Sequence, residues 1–141
     1  PFPQARLHGD SLDFSFSGLK TAVLNCINRA RQTEAEFNPA DLAAGFQQAV
    51  VGALVDKTVK AVWREQVPTL LLAGGVSANT RLREALSKAA LPPGTRVCYP
   101  SLPLCTDNAA MIATAGYYRL IKGERSSWAL NAVPNLALTR E

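Results

Sequence analysis

A short apolar run at residues 69–73 limits the possible folds of this chain more than any other feature of its sequence. Pro68 precedes the run and the pair Gly74-Gly75 follows it, so the run is too short for a helix and suits a strand buried on both faces. A second apolar run, residues 96–99, ends at Pro100. Helical patterns separate these runs, and strands separated by helices pair in parallel. The sequence therefore predicts an α/β layered sheet with helical crossovers.

A third strand is predicted near the start of the chain. Leu12, Phe14 and Phe16 alternate with polar residues, which is typical of a half-buried strand. A helix to about Arg31 follows, and Ser17 is its expected N-cap. Three strands form a thin sheet with at least one exposed edge, which indicates that a piece of the fold is absent.

A long second helix has the clearest start signal in the sequence. Asn38 can cap it, and Pro39 occupies the first helical position, where its missing N–H costs nothing. The helical pattern extends to about Glu65. Its residues on one side form a wide apolar stripe: Leu42, Phe46, Ala49, Val50, Ala53 and Leu54.

Two later helices have ambiguous start signals. Ser77 or Asn79 can cap a helix that the residues 92–94, Pro-Pro-Gly, bring to an end. Thr106 or Asp107 can cap an Ala-rich helix over about residues 108–122, for which Gly123 is the expected C-terminal stop.

Composition indicates one globular domain in a reducing compartment. The 141 residues are 48% hydrophobic and 18% charged, which excludes disorder from low hydrophobicity. Three cysteines without CxxC spacing argue against a disulfide framework and a zinc ribbon, and we expect Cys98 and Cys105 to be buried. No apolar run reaches the ~18 residues of a membrane span, so we expect a cytoplasmic protein without a membrane partner. The chain begins at Pro1 rather than Met, so we expect that residues upstream are missing.

The segment after residue 73 is the strongest candidate for a ligand site. Ligands of open α/β sheets lie at the carboxyl ends of strands, and glycines allow a ring or a phosphate to approach the backbone closely. Gly74 and Gly75 match neither GxGxxG nor a Walker sequence. The alternative is a glycine turn that is tightened for packing of a strand on a helix.

Asp107 is the second candidate, either as an N-cap or as a metal ligand. His8 is the only histidine, so a metal at Asp107 would need ligands from outside this chain. Ser17, beside Gly18 and close to Lys20, is a weak nucleophile candidate because no histidine lies nearby. The net charge of +4 favours an anionic partner.

Three motifs in their order and spacing resemble one family. They are DFSFSGLKT, LLLAGGVSANTRLR and CTDNAAMIA, and the resemblance extends over about residues 1–134. The family is the tRNA N6-adenosine threonylcarbamoyltransferase family, formerly called O-sialoglycoprotein endopeptidase or glycoprotease. Its members have the two-lobed fold of actin, sugar kinases and the Hsp70 ATPase. This chain resembles the C-terminal portion, most of the second lobe, so the N-terminal lobe would be absent.

The resemblance implies transfer of threonylcarbamoyl from threonylcarbamoyl-adenylate, made by a separate enzyme, to N6 of adenosine 37 in tRNAs that read ANN codons. Asn79 matches the substrate-binding asparagine of the family, and Gly74 and Gly75 would line the adenosine side of an ATP or adenylate site. Asp107 matches a ligand of a divalent metal, usually given as iron, with zinc also proposed. Partners would be tRNA and accessory proteins of the same modification machinery.

The two metal-ligating histidines of the family, in a His-x-x-x-His motif, and its glycine-rich phosphate segment would lie upstream of this chain. By itself the chain should therefore be catalytically incomplete. Two alternatives remain open from the residues: a metal-dependent O-sialoglycoprotein endopeptidase, which is the older assignment, and a small nucleotide-binding module.

Overall fold

The computed structural model describes residues 2–3 and 10–135. The chain divides into two compact units, Pro1–Cys105 and Thr106–Glu141, which are described in turn. The first unit contains two helices, a strand, a helix and a second strand. Their bounds are α1 Ser17–Gln32, α2 Pro39–Glu65, β1 Thr69–Leu71, α3 Thr80–Ser87 and β2 Arg96–Cys98. The second unit contains α4, Ala109–Ile121.

The long helix α2 begins and ends where the sequence predicts. Asn38 is its N-cap, and the Asn38 side-chain oxygen accepts a hydrogen bond from the Ala40 amide at 2.9 Å. Pro39 occupies the first helical position because this position needs no intrahelical N–H. At the other end Gln66 adopts a left-handed conformation with φ of 50°, and its amide bonds to the Val62 carbonyl. The helix therefore ends at Glu65, three residues before Pro68.

Strands β1 and β2 form a parallel pair, which confirms the α/β class. Thr69 pairs with Arg96 and Leu71 with Cys98, and α3 lies between the two strands in the chain. The prediction of a strand buried on both faces is wrong, because Leu71 is 73% exposed. Side chains alternate between the two faces of a strand. Leu70 and Leu72 contact the core, and Leu71 lies on the opposite, uncovered face.

The core of the first unit joins α2 and α3 to one face of this pair. Val51 of α2 packs with Leu82 and Leu86 of α3, and all three side chains are buried. Partly buried residues surround them: Leu54, Val55, Leu70, Leu72, Ala85 and Val97. The predicted stripe of α2 contributes to burial, with Ala49 buried and Phe46 still 39% exposed. The core thus holds α3 against α2 and against one face of the strand pair.

The predicted strand near the start of the chain is wrong: residues 11–16 have no regular secondary structure. The Asp13 carbonyl accepts a hydrogen bond from Lys57 Nζ of α2 instead of a strand neighbour. The Phe14 and Phe16 rings stack on each other with centroids 6.1 Å apart. The cap prediction is also wrong, since Phe16 is the N-cap residue of α1 and Ser17 is already helical.

In the second unit, α4 begins at a different residue from either predicted cap. Asn108 is the N-cap, and its side-chain oxygen accepts the Met111 amide at 3.0 Å, so the prediction of Thr106 or Asp107 is wrong. Asn108 has the extended backbone of a cap residue, with φ of −151° and ψ of 152°. Gly123 follows the helix with φ of +83°, as expected for a C-terminal stop. Among residues 2–3 and 10–135, no helix has the length and apolar character to cross a bilayer.

Candidate functional site

The loop that follows β1 lies at the carboxyl edge of the parallel pair. The Leu72 amide bonds to the Cys98 carbonyl at 2.9 Å, which keeps the loop beside β2 for one residue beyond the strand. Gly74 then turns the chain with φ of +77°, a backbone conformation that residues other than glycine rarely adopt. A single 3₁₀ turn, Gly75–Ala78, leads into α3. We call residues 72–79 the glycine loop.

The two glycines leave open space at this edge. A Cβ atom built at Gly74 or at Gly75 would have no heavy atom within 4 Å outside its chain neighbours. Close packing of strand on helix therefore does not require glycine at either position, which weighs against the packing alternative. Backbone conformation requires glycine at position 74. The loop presents exposed backbone that a flat group could approach.

Asn79 connects the glycine loop to α3. Its Oδ1 accepts a hydrogen bond from the Leu82 amide at 3.1 Å, so Asn79 rather than Ser77 is the helix cap. Its Nδ2 donates to Gln47 Oε1 of α2 at 3.3 Å. Both ends of the side-chain amide are thus held, which fixes its orientation. The predicted substrate-binding asparagine also has a structural role.

Ser77 is buried in the middle of the loop, with 2% of its surface exposed. Its Oγ has no hydrogen-bond partner among the described residues, while its amide bonds to the Gly74 carbonyl at 3.0 Å. The Ser77 carbonyl accepts a hydrogen bond from Arg83 Nε. Sequence reasoning missed Arg83. The sequence offers one signal for it: Arg83 is a charged residue directly beside the apolar Leu82 of α3.

Cysteine burial agrees with the prediction at one position only. Cys105 is buried with 3% exposure, and its thiol sulfur accepts from Arg83 Nη2 at 3.1 Å. Cys98 is exposed, so the prediction that it is buried is wrong. Its position on β2 explains this, since Val97 takes the covered face of the strand and Cys98 the other.

Asp107 belongs to the second unit, one residue before the cap of α4. Its side chain is exposed and makes no hydrogen bond or ion pair with any residue that the structure describes. It borders an open depression of about 710 Å³ whose wall is formed mainly by apolar residues of α4. Since Asn108 caps the helix, the Asp107 carboxylate is left available for another partner.

The described part of the chain contains no group of three His, Cys, Asp or Glu side chains that could hold a metal ion. His8 lies outside the described residues. Zinc sites in proteins use three or four protein ligands, so Asp107 and its described neighbours do not by themselves form one. A single available carboxylate fits one ligand position.

The fold and the glycine loop define an α/β protein with a candidate ligand site at the carboxyl edge of a parallel strand pair. The family model TsaD, tRNA N6-adenosine threonylcarbamoyltransferase, matches residues 1–114. A protein of that name from Desulfitobacterium hafniense (strain Y51) is 56% identical over 137 residues, 97% of this chain and 40% of the relative. Proteins of the same name from Clostridium botulinum (strain 657 / Type Ba4) and Clostridium perfringens (strain SM101 / Type A) are 52% and 48% identical, with the same coverage.

The chain belongs to the tRNA N6-adenosine threonylcarbamoyltransferase family. It spans about 40% of the length of the curated relatives that it matches. The glycine loop, Asn79 and Asp107 all lie within the residues that the family model matches.

We predict that Asn79→Ala destabilises the protein by about 1 kcal/mol, because the Leu82 amide loses its acceptor. Asn79→Asp should keep most of the stability, since aspartate caps helices as well as asparagine does. Urea unfolding of the full-length protein measures both changes. Asn25→Ala, at an exposed position within α1, is the control and should have little effect. Equal losses from both Asn79 substitutions would contradict the capping role.

Proposed function

We propose that this chain is the C-terminal part of an enzyme that transfers threonylcarbamoyl from threonylcarbamoyl-adenylate to N6 of adenosine 37 in tRNAs that read ANN codons. The observation that carries the proposal is the family match over residues 1–114, together with relatives of that name at 48–56% identity. Because the chain spans about 40% of those relatives, the activity is assigned to a longer protein.

In this proposal the longer protein has the two lobes of the actin, sugar kinase and Hsp70 ATPase fold, and this chain supplies most of the second lobe. The parallel pair β1–β2 with α2 and α3 on one face is compatible with part of such a lobe. The uncovered face at Leu71 supports the idea that further structure packs there. The N-terminal lobe would supply that structure and the phosphate-binding segment.

The glycine loop is the proposed adenylate site. Its exposed glycines leave room for the flat adenine or the ribose beside the backbone, and the fixed amide of Asn79 offers hydrogen-bonding groups at the end of the loop. ATP would bind here as an analogue of the adenylate. In the transfer, adenosine N6 bonds to the carbamoyl carbon and loses one proton to solvent, the bond from that carbon to the adenylate phosphate oxygen breaks, and AMP leaves as an anion. The loop's task is to orient the adenylate, which lowers the entropic cost of the reaction.

Asp107 is proposed as one ligand of a divalent metal, iron or zinc, whose other ligands are the histidines of the absent part. The support is that the Asp107 carboxylate is available, because Asn108 and not Asp107 caps α4. The net charge of +4 supports a polyanionic partner such as tRNA. The proposal also includes a separate enzyme that makes the adenylate. It includes accessory proteins of the modification machinery and a cytoplasmic location.

The direct test is transfer by the full-length protein. With threonylcarbamoyl-adenylate and a tRNA that reads ANN codons, the purified protein should modify adenosine 37, as measured by mass spectrometry of the nucleosides. A tRNA with guanosine at position 37 is the control and should stay unmodified. No modification, with cleavage of a sialoglycoprotein instead, would replace the proposal with the endopeptidase alternative. Adenylate binding without either reaction would favour the nucleotide-binding module.

In the full-length protein, the substitution Asn79→Asp separates the binding role of Asn79 from its role in folding. The substitution keeps the acceptor that caps α3 and removes the Nδ2 donor. We expect weaker adenylate binding by calorimetry, with only a small change in the midpoint of unfolding because the cap is kept. An unaltered dissociation constant would limit Asn79 to its cap.

A separate prediction concerns the metal. Asp107→Ala in the full-length protein should lower the bound metal sharply, because a ligand is lost, as measured by elemental analysis after purification. Asn108→Ala is the matched control: it removes the cap of α4, costs about 1 kcal/mol of stability, and should leave the metal content unchanged. Full metal content in Asp107→Ala, or equal loss in both variants, would contradict the ligand role.

A further inference from the structure

Arg83 of α3 is the residue that connects the two loops at the carboxyl edge of the parallel pair. Its Nε donates to the Ser77 carbonyl in the glycine loop. Its Nη2 donates to the Pro100 carbonyl at 2.9 Å and lies 3.1 Å from Cys105 Sγ. One guanidinium thus bonds to the loop after β1 and to the segment after β2.

The guanidinium also packs on an aromatic ring. Its central carbon lies 4.4 Å from the centroid of the Tyr99 ring, a distance typical of a cation–π contact. Tyr99 directly follows β2, so this contact holds Arg83 against the same segment. The arginine is half-buried between the two loops.

The partners of Arg83 are neutral. Among the described residues no carboxylate lies within ion-pair distance of it, whereas its neighbour Arg81 pairs with Glu84 at 3.4 Å. Two carbonyls and a thiol accept hydrogen bonds from two nitrogens of the planar group, Nε and Nη2. The arrangement therefore depends on the fork geometry of the guanidinium, which a lysine ammonium lacks, rather than on charge alone.

We propose that Arg83 is a positioning residue, which clamps the glycine loop to residues 99–105 and holds the loop in the conformation that binds the adenylate. The inference rests on the proposed function for the identity of the ligand. Arg83 acts through the Ser77 carbonyl, midway between the glycine pair and Asn79. A loop that is already ordered before binding loses less conformational entropy when the ligand arrives.

The test uses Arg83→Lys in the full-length protein, because this substitution keeps the charge and removes the fork. Hydrogen–deuterium exchange of residues 72–79 and 99–105 should become faster. The dissociation constant of the adenylate should rise about tenfold or more, since misplaced binding groups lose orientation. The KM for tRNA should stay unchanged. A general loss of folded protein would lower the maximal rate without raising the dissociation constant of the adenylate. Tyr99→Leu, which removes the aromatic contact from the other side, should change exchange and affinity in the same direction.

Arg81→Lys is the matched control, because Arg81 lies two residues before Arg83 on the same helix and is exposed. It should leave exchange and affinity unchanged. Unaltered exchange or unaltered adenylate affinity in Arg83→Lys would overturn the proposal, and so would equal weakening of tRNA and adenylate. If the wild-type protein transfers no threonylcarbamoyl, the proposed function fails, and the exchange data still decide whether Arg83 clamps the loop.

Discussion

The candidate site depends on the hydrogen bond from the Leu82 amide to Asn79 Oδ1, which connects the glycine loop to α3. On one side of it lies α3, whose Leu82 and Leu86 are buried against Val51 of α2. On the other side lies the exposed glycine loop. Because the cap ends the loop at a helix that the core holds in place, the loop has a fixed anchor although its own glycines contact little.

Arg83 adds a second anchor to the same loop. The cap holds the end of the loop, and the guanidinium holds the Ser77 carbonyl in its middle while contacting Pro100, Cys105 and Tyr99. The backbone of Gly74 and Gly75 remains exposed between these anchors and β1. Such an arrangement combines a rigid frame with an open surface, which is what an ordered binding loop requires.

Local signals predicted much of this fold. Asn38 and Pro39 mark the start of α2 because a cap and an N1 proline act within a few residues, and proline and glycine bound both strands for the same reason. The predicted strand from Leu12 to Phe16 does not form, because a strand needs a partner and partners are not a local property. The choice among Thr106, Asp107 and Asn108 depends on backbone angles that composition does not determine. In the site, the glycines and Asn79 carry a recognisable pattern, whereas the contacts of Arg83 reach 6 to 22 residues along the chain.

The central claim is that the glycine loop, anchored by Asn79 and Arg83, is where the adenylate binds. A crystal structure of the full-length protein with a non-reactive analogue of threonylcarbamoyl-adenylate tests it most directly. The account predicts the adenosine moiety against the backbone of Gly74 and Gly75, a hydrogen bond between the analogue and Asn79, and the Arg83–Ser77 contact intact. An analogue bound elsewhere, with residues 72–79 untouched, would contradict it.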